Sequence, residues 1–168
     1  MIPELASKKG FICDMDGVLY HGNRLLEGAA QFIDSLLRND KKFLLLTNNS
    51  MYSRRDLRQR FLRFGIDVPE TNFYTSALAT ARFLASQCPN GKAYVIGESG
   101  LLNALYDAGF SMDEHSPDYV VVGETHSYSY DKIVKAVNLV LKGARLIGTN
   151  PDLTGPSEEG IVPACKAF

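Results

Sequence analysis

Apolar residues in this chain fall into two kinds of block. Phe11-Ile12-Cys13 and Phe43-Leu44-Leu45-Leu46 are short continuous runs, as expected of strands. The second run, closing on Thr47, has the character of a strand covered on both faces. Between them Ala29, Phe32, Ile33, Leu36 and Leu37 recur at helical spacing and stop at the polar Arg38-Asn39-Asp40. Ser53-Arg54-Arg55-Asp56 resembles a capping box, followed by Leu57, Phe61 and Phe64 with Gly65 as the stop. A short strand is expected at Phe73-Tyr74-Thr75, and Ser76 reads as the cap of a helix reaching about Gln87.

A second series begins after Cys88-Pro89-Asn90-Gly91. Tyr94-Val95-Ile96, Tyr119-Val120-Val121-Val122 and Leu146-Ile147-Gly148 read as strands. Between them lie two helices. One is capped at Ser99, carries Leu101, Leu102 and Leu105, and ends at Gly109. The other is marked by Ile133, Val134, Val137, Val140 and Leu141 and ends at Gly143. Strand–helix units in succession favour parallel pairing and an α/β class. The chain has no low-complexity tract and no close internal repeat.

Candidate chemistry sits where the first two strands stop. In Asp14-Met15-Asp16-Gly17 two carboxylates flank one residue, and a glycine lets the backbone turn at once. Side-chain alternation would place Asp14 and Asp16 on one side. Like charges so close call for a cation, and oxygen ligands suit a hard ion such as Mg²⁺. The glycine position excludes an EF-hand loop. A strand closing on an Asp-Gly turn fits the same residues. Thr47-Asn48-Asn49-Ser50 ends the next strong strand, and its hydroxyls, amides and loop N–H groups suit phosphate oxygens. It also suits an Asn-rich turn before a helix. Ligands of open parallel sheets gather beyond the carboxyl ends of strands, so neighbouring strands would turn both motifs to one crevice. A metal-holding Asp-x-Asp pair for nucleotide-sugar transfer would not need the Thr-Asn-Asn cluster.

Composition narrows the class. The 168 residues are 45% hydrophobic and 22% charged, which suits a soluble globular protein. With 18 basic and 19 acidic residues, net charge −1, there is no electrostatic case for nucleic acid. Cys13, Cys88 and Cys165 are scattered, odd in number and without zinc spacing, which points to a reducing compartment. Met1-Ile2-Pro3-Glu4 does not open a signal peptide, and no run approaches a membrane span, so a cytoplasmic protein is expected.

Taken together, the motifs resemble the haloacid dehalogenase-like phosphatases, and in particular the NagD-like branch with an α/β cap. The resemblance is carried by Asp14-Met15-Asp16-Gly17-Val18-Leu19 with Tyr20-His21-Gly22, and by Leu45-Leu46-Thr47-Asn48-Asn49-Ser50. Thr75-Ser76-Ala77, Gly148-Thr149-Asn150-Pro151-Asp152 and Pro163-Ala164-Cys165 are similar to that branch as well. It implies a Rossmann-like parallel-sheet core, residues 1–81, and an inserted α/β cap over 82–168 that starts near Arg82. It implies that Asp14 is a nucleophile and Asp16 an acid/base. Mg²⁺ would be held by the Asp14 carboxylate and the Asp16 backbone carbonyl. Phosphate would be bound by Thr47, with Asn48 beside it and Gly17 in the loop, and His21, Asn150 and Asp152 are candidates to face the substrate. The implied activity is hydrolysis of a small phosphorylated metabolite (a sugar phosphate, a nucleotide or similar) through an aspartyl-phosphate. Neither nucleic acid nor membrane is implied as a partner, and self-association into a homo-oligomer is left open.

The sequence departs from the family in one respect. The family's lysine and its last acidic metal motif follow the cap, and no residue here matches them. Lys166 lies in a segment similar to a helix start in the cap. The chain is therefore expected to represent such a phosphatase in part, to hold about three core strands, and to be nearly inactive and prone to associate alone. A non-catalytic phosphate- or metabolite-binding module and an inactive fragment are the alternatives. Loop or surface positions explain His115 and His126. A solvated helix face is expected for Arg54, Arg55, Arg58, Arg60 and Arg63, while Tyr128 and Tyr130 suit substrate contact and packing equally.

Overall fold

The computed structural model describes residues 5, 7–157 and 160–167. They form two compact units. One comprises Met1–Thr47, Arg54–Tyr74 and Pro156–Ile161; the other comprises Asn48–Ser53, Thr75–Gly155 and Val162–Phe168.

In the first unit, β1 (Gly10–Asp14) and β4 (Lys42–Thr47) pair in parallel from Gly10↔Lys42 to Asp14↔Leu46. With β5 (Phe73–Thr75) they make a sheet of order β1-β4-β5, the three core strands expected. Helices α1 (Ala29–Arg38) and α2 (Arg54–Arg63) cover one face. Ile33 and Leu36 from α1, Leu57 and Phe61 from α2, and Phe43, Leu45 and Phe73 from the strands share one buried cluster. β4 therefore alternates: Phe43, Leu45 and Thr47 are buried, while Leu46 is 39% exposed and Ile12 of β1 is 77% exposed. The expectation of a strand covered on both faces fails here, because both helices lie over the same face. The pattern also gave no sign of the hairpin β2 (Tyr20–His21) and β3 (Arg24–Leu25), whose strands are too short to show a period.

In the second unit, β6 (Lys92–Ile96), β7 (Ser111–Met112), β8 (Tyr119–Val122) and β9 (Arg145–Gly148) form a sheet of order β7-β6-β8-β9. Every pairing in it is parallel. Helices α3 (Ser76–Gln87) and α4 (Ser99–Asp107) bury Leu84, Leu101 and Leu105 against Tyr119 and Val121. Helix α5 (Tyr130–Leu141) packs Ala136 and Leu139 against Tyr94, Ile96 and Val120. The pleat of β8 thus sends alternate residues to opposite helix layers, the α/β arrangement the sequence implied. Short strands β10 (Thr154–Ser157) and β11 (Gly160–Pro163) pair with each other.

Two caps differ from expectation. Thr75, not Ser76, caps α3, its hydroxyl accepting the Leu78 N–H at 3.3 Å. Glu98, not Ser99, is the N-cap of α4, and its side chain makes no capping bond. β5 runs directly into α3, whereas Gly97 and Glu98 separate β6 from α4, and in both cases the Ser is the first helical residue.

The loop between β7 and β8 turns on Asp113. Its Oδ1 accepts the N–H groups of His115 (2.7 Å) and Ser116 (3.0 Å), and its Oδ2 faces Lys92 Nζ at 3.0 Å. The Ser116 and His115 N–H groups, with the Lys92 ammonium, hold the Asp113 carboxyl well below the usual carboxylate range. Such a group stabilises the fold above its unfolded pKa of about 4, and that stabilisation is lost as pH falls toward the folded value. Asp113→Asn is accordingly expected to lower the urea midpoint at pH 7 and to converge on the parent protein as pH drops below about 4. A gap that stays constant between those conditions would exclude this role.

Candidate active site

β1 ends at Asp14, whose exposed carboxylate accepts the Met15 N–H through Oδ1 at 2.9 Å. Met15 is fully buried, and its carbonyl accepts the Leu19 N–H at 2.9 Å and the Val18 and Tyr20 N–H groups at 3.3 Å. The chain folds back within one loop, so Gly17 takes φ 75° and donates its N–H to Tyr20 O at 2.8 Å. A side chain at Gly17 would strain that turn. Asp16 lies in the loop, beyond the strand, and is half-buried. It is the loop, and not strand alternation, that sets Asp16 beside Asp14.

The parallel register then supplies the next group. Thr47, last in β4 and only 4% exposed, donates its hydroxyl to Asp16 Oδ2 at 3.3 Å. Tyr20, 1% exposed, also bonds to the Asp16 carboxylate through its hydroxyl. Burial pushes the Asp16 carboxyl above its ordinary value, opposed by the Arg60 guanidinium and the Tyr20 and Thr47 hydroxyls and reinforced by the Asp14 charge; the upward push wins. Arg60 stacks on the Tyr20 ring with its guanidinium carbon 4.4 Å from the centroid, and donates to the Gly22 carbonyl.

The expectation of a solvated arginine face therefore needs correction at two positions, Arg60 and Arg54. Arg60 is tied to the Asp loop. Arg54 Nε donates to Phe73 O at 3.1 Å, and Arg58 pairs with Asp67 at 3.1 Å. Arg55 and Arg63 are exposed. Neither Tyr20 nor Arg60 was assigned a role from the sequence, where Tyr20 appeared only within the Asp motif and Arg60 only within the arginine cluster, next to Phe61.

Asn48, Asn150 and Asp152 come together in the second unit. Asn48 donates its side-chain amide to Asp152, while its carbonyl accepts Ser76 Oγ (2.7 Å) and Asn150 Nδ2 (3.0 Å). Asn150 Nδ2 also donates to Glu124 Oε1 at 2.8 Å, and Asn150 Oδ1 accepts the Asp152 N–H at 2.9 Å. Ser50 is fully buried: its hydroxyl accepts the Glu124 N–H and the Thr149 hydroxyl, each at 3.2 Å. Glu124 was missed, because its partners are distant in sequence, and Ser50, expected in the phosphate-suited cluster, is instead turned inward to Glu124 and Thr149. The structure thus gives Asn150 and Asp152 a positioning task on the segment after Thr47.

His21 is exposed on β2, paired with Arg24. His115 and His126 are exposed. Tyr128 donates its hydroxyl to Gly123 O at 2.9 Å, a packing role, and Tyr130 is 80% exposed. The three cysteines are free. Among the described residues no three His, Cys, Asp or Glu side chains cluster as a metal site, and no helix is long and apolar enough to cross a membrane.

Residues 11–111 match the model of the haloacid dehalogenase-like hydrolases. The chain belongs to that family. Among relatives of this haloacid dehalogenase-like chain, the dihydroxyacetone phosphatase of Corynebacterium glutamicum (strain R) is 50% identical over 154 residues, 92% of this chain and 56% of that protein. The ribonucleotide monophosphatase NagD of Escherichia coli (strain K12) is 48% identical over 160 residues, 95% of this chain and 62% of that protein. The crystal structure of a 4-nitrophenylphosphatase from Thermotoga maritima superposes with a TM-score of 0.88 at 33% identity, covering 95% of this chain and 61% of that one. The chain thus spans a little over half the length of these relatives.

In the second unit the loop carrying Ser50 is held by a close approach to α4. Gly100 donates its N–H to Met51 O at 3.0 Å, and a Cβ on Gly100 would lie 2.7 Å from Met51 C and 2.6 Å from Tyr52 C. Backbone cannot yield as a flexible side chain does. Gly100→Ala should cost about 1–3 kcal/mol in chemical denaturation, whereas Gly155→Ala, where a Cβ would meet nothing within 4 Å, should stay within about 0.5 kcal/mol. Equal stabilities of the two variants would refute the close packing.

Proposed function

We propose that this chain carries the nucleophile half of a phosphomonoester hydrolase acting on a small phosphorylated metabolite in the cytoplasm, with residues 82–168 serving as cap. The observation that supports this best is the convergence at the carboxyl ends of β1 and β4. The exposed Asp14 carboxylate stands next to a half-buried Asp16 that Thr47 hydrogen-bonds at 3.3 Å. The names of relatives such as dihydroxyacetone phosphatase and NagD agree with a phosphate monoester as substrate.

Asp14 attacks phosphorus through a carboxylate oxygen, forming an acyl-phosphate O–P bond as the bond to the leaving oxygen breaks. Asp16, pushed toward its protonated form by burial, gives its proton to that oxygen. It then takes a proton from the water that attacks the aspartyl-phosphate, which releases inorganic phosphate and frees Asp14. Thr47 and the loop N–H groups orient the phosphate oxygens. Asp14 and Asp16 offer hard oxygen donors, a set that suits Mg²⁺ in kind, and they would hold it together with water. When bound, that ion supplies positive charge against the phosphate oxygens.

In the full natural polypeptide, Asp14→Asn is expected to lower turnover of a phosphate monoester by roughly three or more orders of magnitude and to abolish trapping of an aspartyl-phosphate, with an unchanged circular dichroism spectrum. Normal turnover in that variant would rule out Asp14 as nucleophile. Hydrolysis should also disappear with a chelator and return on adding Mg²⁺. Undiminished turnover in chelator would remove the metal from the reading.

A further inference from the structure

The proposal above leaves unexplained why Tyr20, four residues on, and Arg60, from α2, both act on Asp16. A side chain placed to protonate a leaving oxygen must point its carboxyl one way, yet Asp16 sits on a loop and not in the strand. Its Oδ2 is held by Thr47 at 3.3 Å, a long bond that leaves the orientation only partly fixed. Tyr20 provides a second hold. Its ring is fixed by edge contacts to Phe61 and by Phe64, each with centroids 6.1 Å apart, so the hydroxyl cannot wander. Its backbone forms a bridge with Asp16, and its carbonyl accepts the Gly17 N–H at 2.8 Å. Arg60 lies over that ring, its guanidinium carbon 4.4 Å from the centroid, and is itself anchored on Gly22 O.

We infer that Tyr20 and Arg60 are positioning residues that hold the Asp16 carboxyl toward the leaving oxygen, Tyr20 by its hydroxyl bond and Arg60 by clamping the ring and attracting the carboxylate. The inference rests on the reading of Asp16 as the acid. Tyr20 supplies direction at little entropic cost, because a ring buried on both faces has no rotamer freedom left to lose. Arg60 suits the task better than lysine would, since a planar guanidinium stacks on a ring while donating at its edge.

The test uses leaving-group dependence in the full natural polypeptide. An alkyl monoester such as glycerol phosphate needs a proton on its leaving oxygen, whereas 4-nitrophenyl phosphate departs as a stable anion. Tyr20→Phe, which keeps the ring, is expected to lower kcat/KM for glycerol phosphate about ten-fold or more, part of what general acid catalysis typically supplies, and to leave 4-nitrophenyl phosphate within about three-fold. Arg60→Gln should show the same bias, and Arg60→Lys should recover part of it. Equal losses for both esters in Tyr20→Phe would mean a merely structural role and overturn the inference. In crystals of Tyr20→Phe the Asp16 carboxylate is expected to leave Thr47 Oγ1, and an unmoved carboxylate would overturn it as well. Should the parent protein hydrolyse neither ester, the proposed activity fails, and the crystal position alone decides the placement of Asp16.

Discussion

A half-buried carboxylate beside a second carboxylate is the constraint on which the first unit depends. Asp16 costs free energy wherever it loses water, and the Asp14 charge adds to that cost. The fold offsets it with a set of donors and a cation drawn from three elements: the Thr47 hydroxyl from β4, the Tyr20 hydroxyl from β2 and the Arg60 guanidinium from α2. Each is fixed for a separate physical reason. Parallel pairing of β1 with β4 sets Thr47, loop closure over Met15 sets Tyr20, and burial of Phe61 sets the face of α2 that carries Arg60.

The second unit is governed by close approach of backbones. Gly123 admits Ser50, whose Oγ would lie 2.7 Å from any Cβ there, and Gly100 admits the Met51–Tyr52 peptide. Once inside, Ser50 has no solvent, so its hydroxyl must find partners, and Glu124 and Thr149 supply them. Glu124 is in turn held by Asn150, which also grips the Asn48 carbonyl. The conformation of the residues just after Thr47 is therefore written by loops at the carboxyl ends of β8 and β9. The ligand-facing end of a parallel sheet is here occupied by a segment of the protein itself.

Family membership lies in contiguous stretches and was legible, as was the placement of the candidate residues at strand ends. Asp14, Asp16 and Thr47 end apolar runs, and a strand's end can be read from where its hydrophobic pattern stops. The parallel α/β class and the three core strands followed from the alternation of strand-length and helix-length periods. The covering of β4 was not legible: a run of leucines has the same appearance whether one face or both are packed, and only the placement of α1 and α2 left Leu46 exposed. Very short strands such as β2, β3 and β7 carry no period to detect.

What the sequence by itself determined is the chemistry available and its location at strand ends, because motif spacing and hydrophobic period act over a few residues. What only the tertiary structure decided is the environment of each group. Arg60 looked like one of several solvated arginines until packing of Phe61 turned it onto Tyr20, and Glu124, unmarked in the sequence, meets Ser50 and Asn150 only in the fold. Burial, and the hydrogen bonds that burial makes obligatory, join residues by distance in space, which no local pattern encodes.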